Sequence, residues 1–286
     1  MANADYIYIK TREELITYLQ RLEENRCRII ALDIEGENNL HAYGETLCLA
    51  QIYDGADKVL IDPLGIDKHS LKMLFENRDI LKIAYDAASD SSLLKNACAI
   101  EMKSVLDLRP AVDLLNLSRQ DLHSVIASEL GVTLTKKGKF QRHNWLRRPI
   151  DKEALEYALN DVAYLFRLKD ALLKKLYAGN LLEMFMLKNL QVQNKDYFRN
   201  PDDKYRRTKG FHALSPAEKE NFKKLFEIRE KYAKKCNLPA FNVINNNDLL
   251  NLARDAGYID KMRFPYRFRD DLVRGIREEL RNIGRA

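Results

Sequence analysis

The chain has 286 residues, 46% apolar and 31% charged, with a net charge of +6. That length suits one large domain or two of ordinary size, and the apolar fraction is ample for packed cores. No run of about 18 apolar residues occurs, and the opening MANADYIYIKTREEL is too polar for a secretory signal, so the expectation is a cytoplasmic protein with no membrane span.

Residues 11 to 25 place Leu15, Tyr18, Leu19 and Leu22 at helical spacing, with Thr11 and Glu14 in capping-box relation. An apolar, β-branched run from Cys27 to Ile34 then enters Gly36 and reads as a buried strand. Thr46 to Tyr53 and Lys58 to Ile61 form two more strands across a turn at Asp54 to Asp57, so the opening is a β-meander. From Asp67 onward the pattern alternates: helix (HSLKMLFEN), strand (ILKIAY), helix (ASDSSLLKNA), strand (SVLDL). This is the signature of an α/β domain with a mixed sheet of about five strands flanked by helices, and helices dominate from there to Asn194.

Residues 195 to 210 lack apolar periodicity and contain Pro201 and Gly210, which marks a linker between domains at 1–194 and 211–286. Beyond it, Ser215, Pro216 and Glu218 start a helix that Phe222, Leu225, Phe226, Arg229 and Tyr232 continue. Further short helices make the second domain small and all-helical. Residues 195–286 hold 22 lysines and arginines against 14 acids, which leaves 26 against 28 for residues 1–194. A basic tail joined to an acidic body suits a module that holds polyanions beside one that carries carboxylate chemistry, although a solvated lysine-rich surface explains the same count. Cys27, Cys48, Cys98 and Cys236 form no CxxC pair, and the five histidines lack zinc spacing, so thiolate or imidazole metal sites are not expected.

Four carboxylates carry the chemistry. Asp33 and Glu35, two apart on a strand, project to the same face. Tyr157 and Asp161 are four apart on a helix that begins after Pro149, so they stack on one side of it. Asp90 follows the strand ILKIAY in the first turn of a helix, with Asp86 as its rival. Each alone reads more readily as structural: a polar pair at a strand end, a half-buried ring beside a solvated helix charge, or a helix cap. Gathered at one site they would repel one another unless cations neutralised them, and a pair of hard divalent ions, Mg²⁺ or Mn²⁺, suits an all-oxygen donor set and phosphodiester hydrolysis.

At these residues the chain resembles the DEDD superfamily of 3′-to-5′ exonucleases, in the branch with tyrosine in the last motif, and is similar to the ribonuclease D family. LDIEG (Asp33, Glu35) matches the first motif, KIAYDAASD (Asp90) the second and YALND (Tyr157, Asp161) the third. The resemblance implies a ribonuclease H-like sheet, followed by an HRDC-like nucleic-acid-binding module matched by FKKLFEIREKYAKKCNLPAFNVINNNDLLNLAR. It also implies that Asp33, Glu35 and Asp161 hold one metal ion, that Asp33 bridges to a second which Asp90 reaches through water, and that Tyr157 orients the attacking water. Three positions depart from the pattern: Tyr85 where histidine is common, Asn144 in place of the aspartate before Trp145, and Tyr205 where tryptophan is usual.

Between the helix that ends near Leu130 and Pro149, Lys136, Lys137, Lys139, Arg142 and Arg147 alternate with Phe140 and Trp145, a mixture suited to single strands because bases stack while phosphates are neutralised; a solvated charged loop with Trp145 packed in the core explains the same residues equally well. Arg206 and Arg207 repeat the mixture beside Tyr205. The expected activity is exoribonucleolytic trimming of tRNA precursors or other small RNAs by a monomer with no protein partner. A single-stranded DNA exonuclease and a non-catalytic nucleic-acid-binding protein are the alternatives.

Overall fold

A computed structural model describes residues 6–134, 140, 142–266 and 268–283. Lys136, Lys137 and Lys139 lie outside the described residues. The chain forms two compact units. One is built from residues up to Glu37 and from Thr46 to Phe198, the other from Asn38–Glu45 and from Arg199 onward.

In the first unit the elements run β1 (Ile7–Ile9), α1 (Arg12–Glu24), β2 (Ile29–Asn38), β3 (Glu45–Tyr53), β4 (Lys58–Ile61), α2 (Lys68–Phe75), β5 (Leu81–Ala84), α3 (Ala87–Leu93), β6 (Val105–Asp107), α4 (Arg109–Leu114), α5 (Leu122–Leu130), α6 (Lys152–Ala163), α7 (Leu165–Ala178) and α8 (Leu182–Asn194). The sheet has the order β1-β4-β3-β2-β5-β6. It is mixed: β3 and β4 are antiparallel, while β1 pairs parallel to β4, β5 to β2 and β6 to β5. The expected five strands are therefore six. The addition is β1, whose three residues Ile7, Tyr8 and Ile9 are too few to show a period and are held as a strand only by Val59, Leu60 and Ile61 alongside.

Alternation along β2 divides the core. Ile30, Leu32 and Ile34 pack on one face with Leu15, Tyr18, Leu22, Leu74 and Phe75 from α1 and α2. Ala31 lies on the other, with Val125, Ile126, Val162, Leu165 and Leu168 from α5, α6 and α7. The expected capping box of α1 is present: Glu14 N–H donates to Thr11 Oγ1 (3.2 Å) and Thr11 N–H to Glu14 Oε2 (3.1 Å). None of the four cysteines is in a disulfide. Among the described residues no helix is long and apolar enough to cross a membrane.

The second unit contains α9 (Pro216–Cys236), α10 (Ala240–Val243), α11 (Asn246–Arg254) and α12 (Asp270–Ile283). Phe222, Leu225 and Phe226 of α9 pack with Leu249 of α11 and with Ile276 and Leu280 of α12. Two features depart from the expected boundaries. Residues Pro201–Arg207, within the segment read as linker, form a 3₁₀ helix whose Tyr205 ring packs on Phe211 (5.3 Å) and Phe226 (6.3 Å). The segment Asn38–Glu45 also belongs to this unit: Tyr43 Oη donates to Glu230 Oε2 (3.1 Å) and Tyr43 N–H to Asn237 Oδ1 (3.3 Å).

Candidate active site

The apolar positions Ile30, Leu32 and Ile34 of β2 take the face toward α1 and α2, so strand alternation leaves Asp33 and Glu35 on the opposite face with Ala31, the face that α5, α6 and α7 cover. Asp161 projects from α6, one helical turn after Tyr157. One carboxylate oxygen from each of Asp33, Glu35 and Asp161 lies within 4.8 Å of the other two, the one such acidic group among the described residues. Asp161 is buried, and its Oδ1 is 2.7 Å from His123 Nε2 on α5.

Asp90 approaches from α3. Gly36 makes room beside it: a Cβ at that position would fall 2.2 Å from Leu93 Cδ2 of α3 and 3.1 Å from the Thr46 carbonyl oxygen, so a larger residue would force the Leu93 side chain to move. The start of α3 is pinned by Asp107 at the end of β6, whose carboxylate accepts from the backbone N–H of Asp86 (2.8 Å), Ala87 (3.0 Å) and Arg109 (2.9 Å). Asp90 stands outside the 4.8 Å triad, yet burial and then the charge of Asp33 push its carboxyl well above the usual range, with Asp107 and Asp86 adding to the effect. Asp86 caps nothing with its side chain and takes a left-handed backbone conformation.

Burial, followed by the charges of Asp161, Glu35 and Asp33, raises the Tyr157 phenol far above its ordinary value, so it stays protonated and available as a donor. Its ring stacks on Phe140 (4.8 Å, 28°) and meets His123 at 5.6 Å. The three carboxylates, with Asp90 alongside, therefore offer clustered oxygen donors whose mutual repulsion a divalent cation would relieve, and this fits the expected metal chemistry.

The nucleic-acid residues divide. Arg142 and Arg147 are exposed in the first unit, and Arg206 and Arg207 are exposed in the second. Arg206 Nε is 3.1 Å from Asp203 Oδ1. Trp145 corrects the expectation of a stacking platform: it is 3% exposed and packs with Cys48, Leu49, Leu60 and Phe140, so it cannot take a base without leaving the core. The neighbouring Arg148 is structural, forking onto Asp62 through Nε (2.5 Å) and Nη2 (2.9 Å). Sequence reasoning passes over His123, Asp107 and the stacking role of Phe140. A lone histidine two residues into a helix and an aspartate at a strand end carry no local signal.

Residues 6–177 match the model of a protein family described as 3′-5′ exonuclease. The chain belongs to that 3′-5′ exonuclease family. Among its relatives, ribonuclease D of Xanthomonas oryzae pv. oryzae is 30% identical over 241 residues, covering 82% of this chain and 64% of the relative. The chain thus spans less than two thirds of that relative's length. The crystal structure of Escherichia coli RNase D, described as an exoribonuclease involved in structured RNA processing, superposes with a TM-score of 0.75 at 23% identity, covering 99% of this chain and 76% of that one. The catalytic core of RRP6 from Trypanosoma brucei gives 0.77 at 20% identity, covering 100% of this chain and 80% of its own. Those two likenesses establish the fold.

Proposed function

We propose that the protein is a divalent-metal-dependent 3′-to-5′ exoribonuclease that trims the 3′ ends of tRNA precursors or other small structured RNAs in the cytoplasm. The convergence of Asp33, Glu35 and Asp161 within 4.8 Å, next to a protonated Tyr157, carries this reading. Membership of the 3′-5′ exonuclease family and similarity to ribonuclease D support it.

Asp33, Glu35 and Asp161 would hold one Mg²⁺ or Mn²⁺, with Asp33 and Asp90 serving a second, Asp90 through water. Bound there, such ions would stabilise charge on the scissile phosphate and lower the pKa of a water. Tyr157 donates its phenolic hydrogen bond and fixes the direction from which that water approaches. His123 steadies Asp161 through the 2.7 Å contact. Attack at phosphorus breaks the bond to the 3′ oxygen of the preceding nucleotide, and the terminal residue leaves as a nucleoside 5′-monophosphate. Arg142 and Arg147, with Lys136, Lys137 and Lys139, neutralise phosphates of the strand, while the second unit, acting as an HRDC-like module through Arg206 and Arg207, holds the body of the RNA.

The test uses matched 5′-labelled RNA and DNA oligomers with Mg²⁺ or Mn²⁺, with and without chelator. A metal-dependent ladder shortening from the 3′ end of RNA is expected. Strands retarded but uncut would contradict the enzymatic reading, and a ladder on DNA alone would contradict the RNA assignment.

A further inference from the structure

A ladder of rings runs from the basic loop to the carboxylates. Trp145 meets His143 edge-on at 4.8 Å, His143 meets Phe140 at 6.0 Å, and Phe140 stacks on Tyr157 at 4.8 Å. Tyr157 in turn meets His123, whose Nε2 touches Asp161. Phe140 is buried, and its ring lies nearly flat on the phenol ring, 28° from parallel.

We propose that Phe140 is a positioning residue for the reaction: its ring fixes the tilt at which Tyr157 presents its hydroxyl beside Asp161. The proposal rests on the role given to Tyr157 above. The phenol oxygen lies at the end of a long lever, so a ring tilt of about 10° moves it by roughly 1 Å, a misplacement that can cost about a hundredfold in rate. Phe140 lies against the face of the Tyr157 ring, and the Asp161 carboxylate stands beside its hydroxyl. Phe140 also lies in sequence between Lys139 and Arg142. The segment that grips the strand thereby supplies the ring that steadies the phenol.

Steady-state kinetics on a short single-stranded RNA oligomer test this with the full chain and the variants Phe140→Leu, Phe140→Tyr, Tyr157→Phe and Phe140→Leu/Tyr157→Phe. Leucine keeps most of the volume and loses the flat face, whereas tyrosine keeps the face. Expected are a fall of about tenfold in kcat for Phe140→Leu with KM nearly unchanged, near-wild-type kcat for Phe140→Tyr, and little further loss when Phe140→Leu is added to Tyr157→Phe. Equal losses for leucine and tyrosine, or a loss from Phe140→Leu that multiplies in full onto that of Tyr157→Phe, would overturn the proposal and leave Phe140 a packing residue. A Tyr157→Phe enzyme as fast as wild type would overturn the reading of Tyr157 itself, and this inference with it.

Discussion

Glu35→Gln should stabilise the metal-free protein and weaken its response to metal. Glu35 shares a 4.8 Å sphere with Asp33 and Asp161. At an effective dielectric of about 20, each like-charge pair at that separation costs roughly 3 kcal/mol. Solvent screening at the half-buried Asp33 and Glu35 reduces this, so removal of one charge leaves a net gain on the order of 1–2 kcal/mol, or about 2–6 °C in melting temperature. With Mg²⁺ or Mn²⁺ the sign reverses, because the lost carboxylate is a lost ligand. Thermal melts in chelator and in millimolar Mn²⁺ measure both arms. A variant that melts lower than wild type in chelator, or one that keeps the full metal-induced shift, would refute the argument.

Lys82 is fully buried, with its ammonium donating to the carbonyls of Asn77, Ile80 and Lys103, and burial pushes its pKa down to about 8. Between that value and the unfolded value near 10.5 the unfolded chain binds more protons, so stability should rise with pH across this window, by ~3 kcal/mol in total. Denaturant titrations from about pH 7 to about pH 10 should show this rise in wild type and its loss in Lys82→Met; equal slopes would contradict it. Trp145→Ala should lower stability by about 3–5 kcal/mol as a core truncation. RNA affinity per folded molecule should be unchanged, and a selective loss of affinity without destabilisation would restore the stacking role.

Much of the candidate site is legible in the sequence because it depends on local periods. Alternation puts Asp33 and Glu35 together, the four-residue helical spacing puts Tyr157 over Asp161, and the pairs Thr11/Glu14 and Ser215/Glu218 cap α1 and α9 as expected. What escapes depends on contacts distant in sequence. β1 exists because β4 offers it an edge, Asn38–Glu45 joins the second unit because Glu230 and Asn237 receive Tyr43, and His123 matters because α5 lies beside α6. Trp145 departs from its expected role for a related reason: cations on either side in sequence say nothing of the apolar wall from β3, β4 and α6 that closes over the ring.

The proposed function requires three carboxylates from β2 and α6 to make one cation site. Calorimetric titration of Mn²⁺ into wild type, Asp33→Asn and Asp161→Asn reads this out. Saturable uptake in wild type, lost in both variants while their far-ultraviolet spectra stay native, is the expected result. Undiminished uptake in both variants would contradict the site.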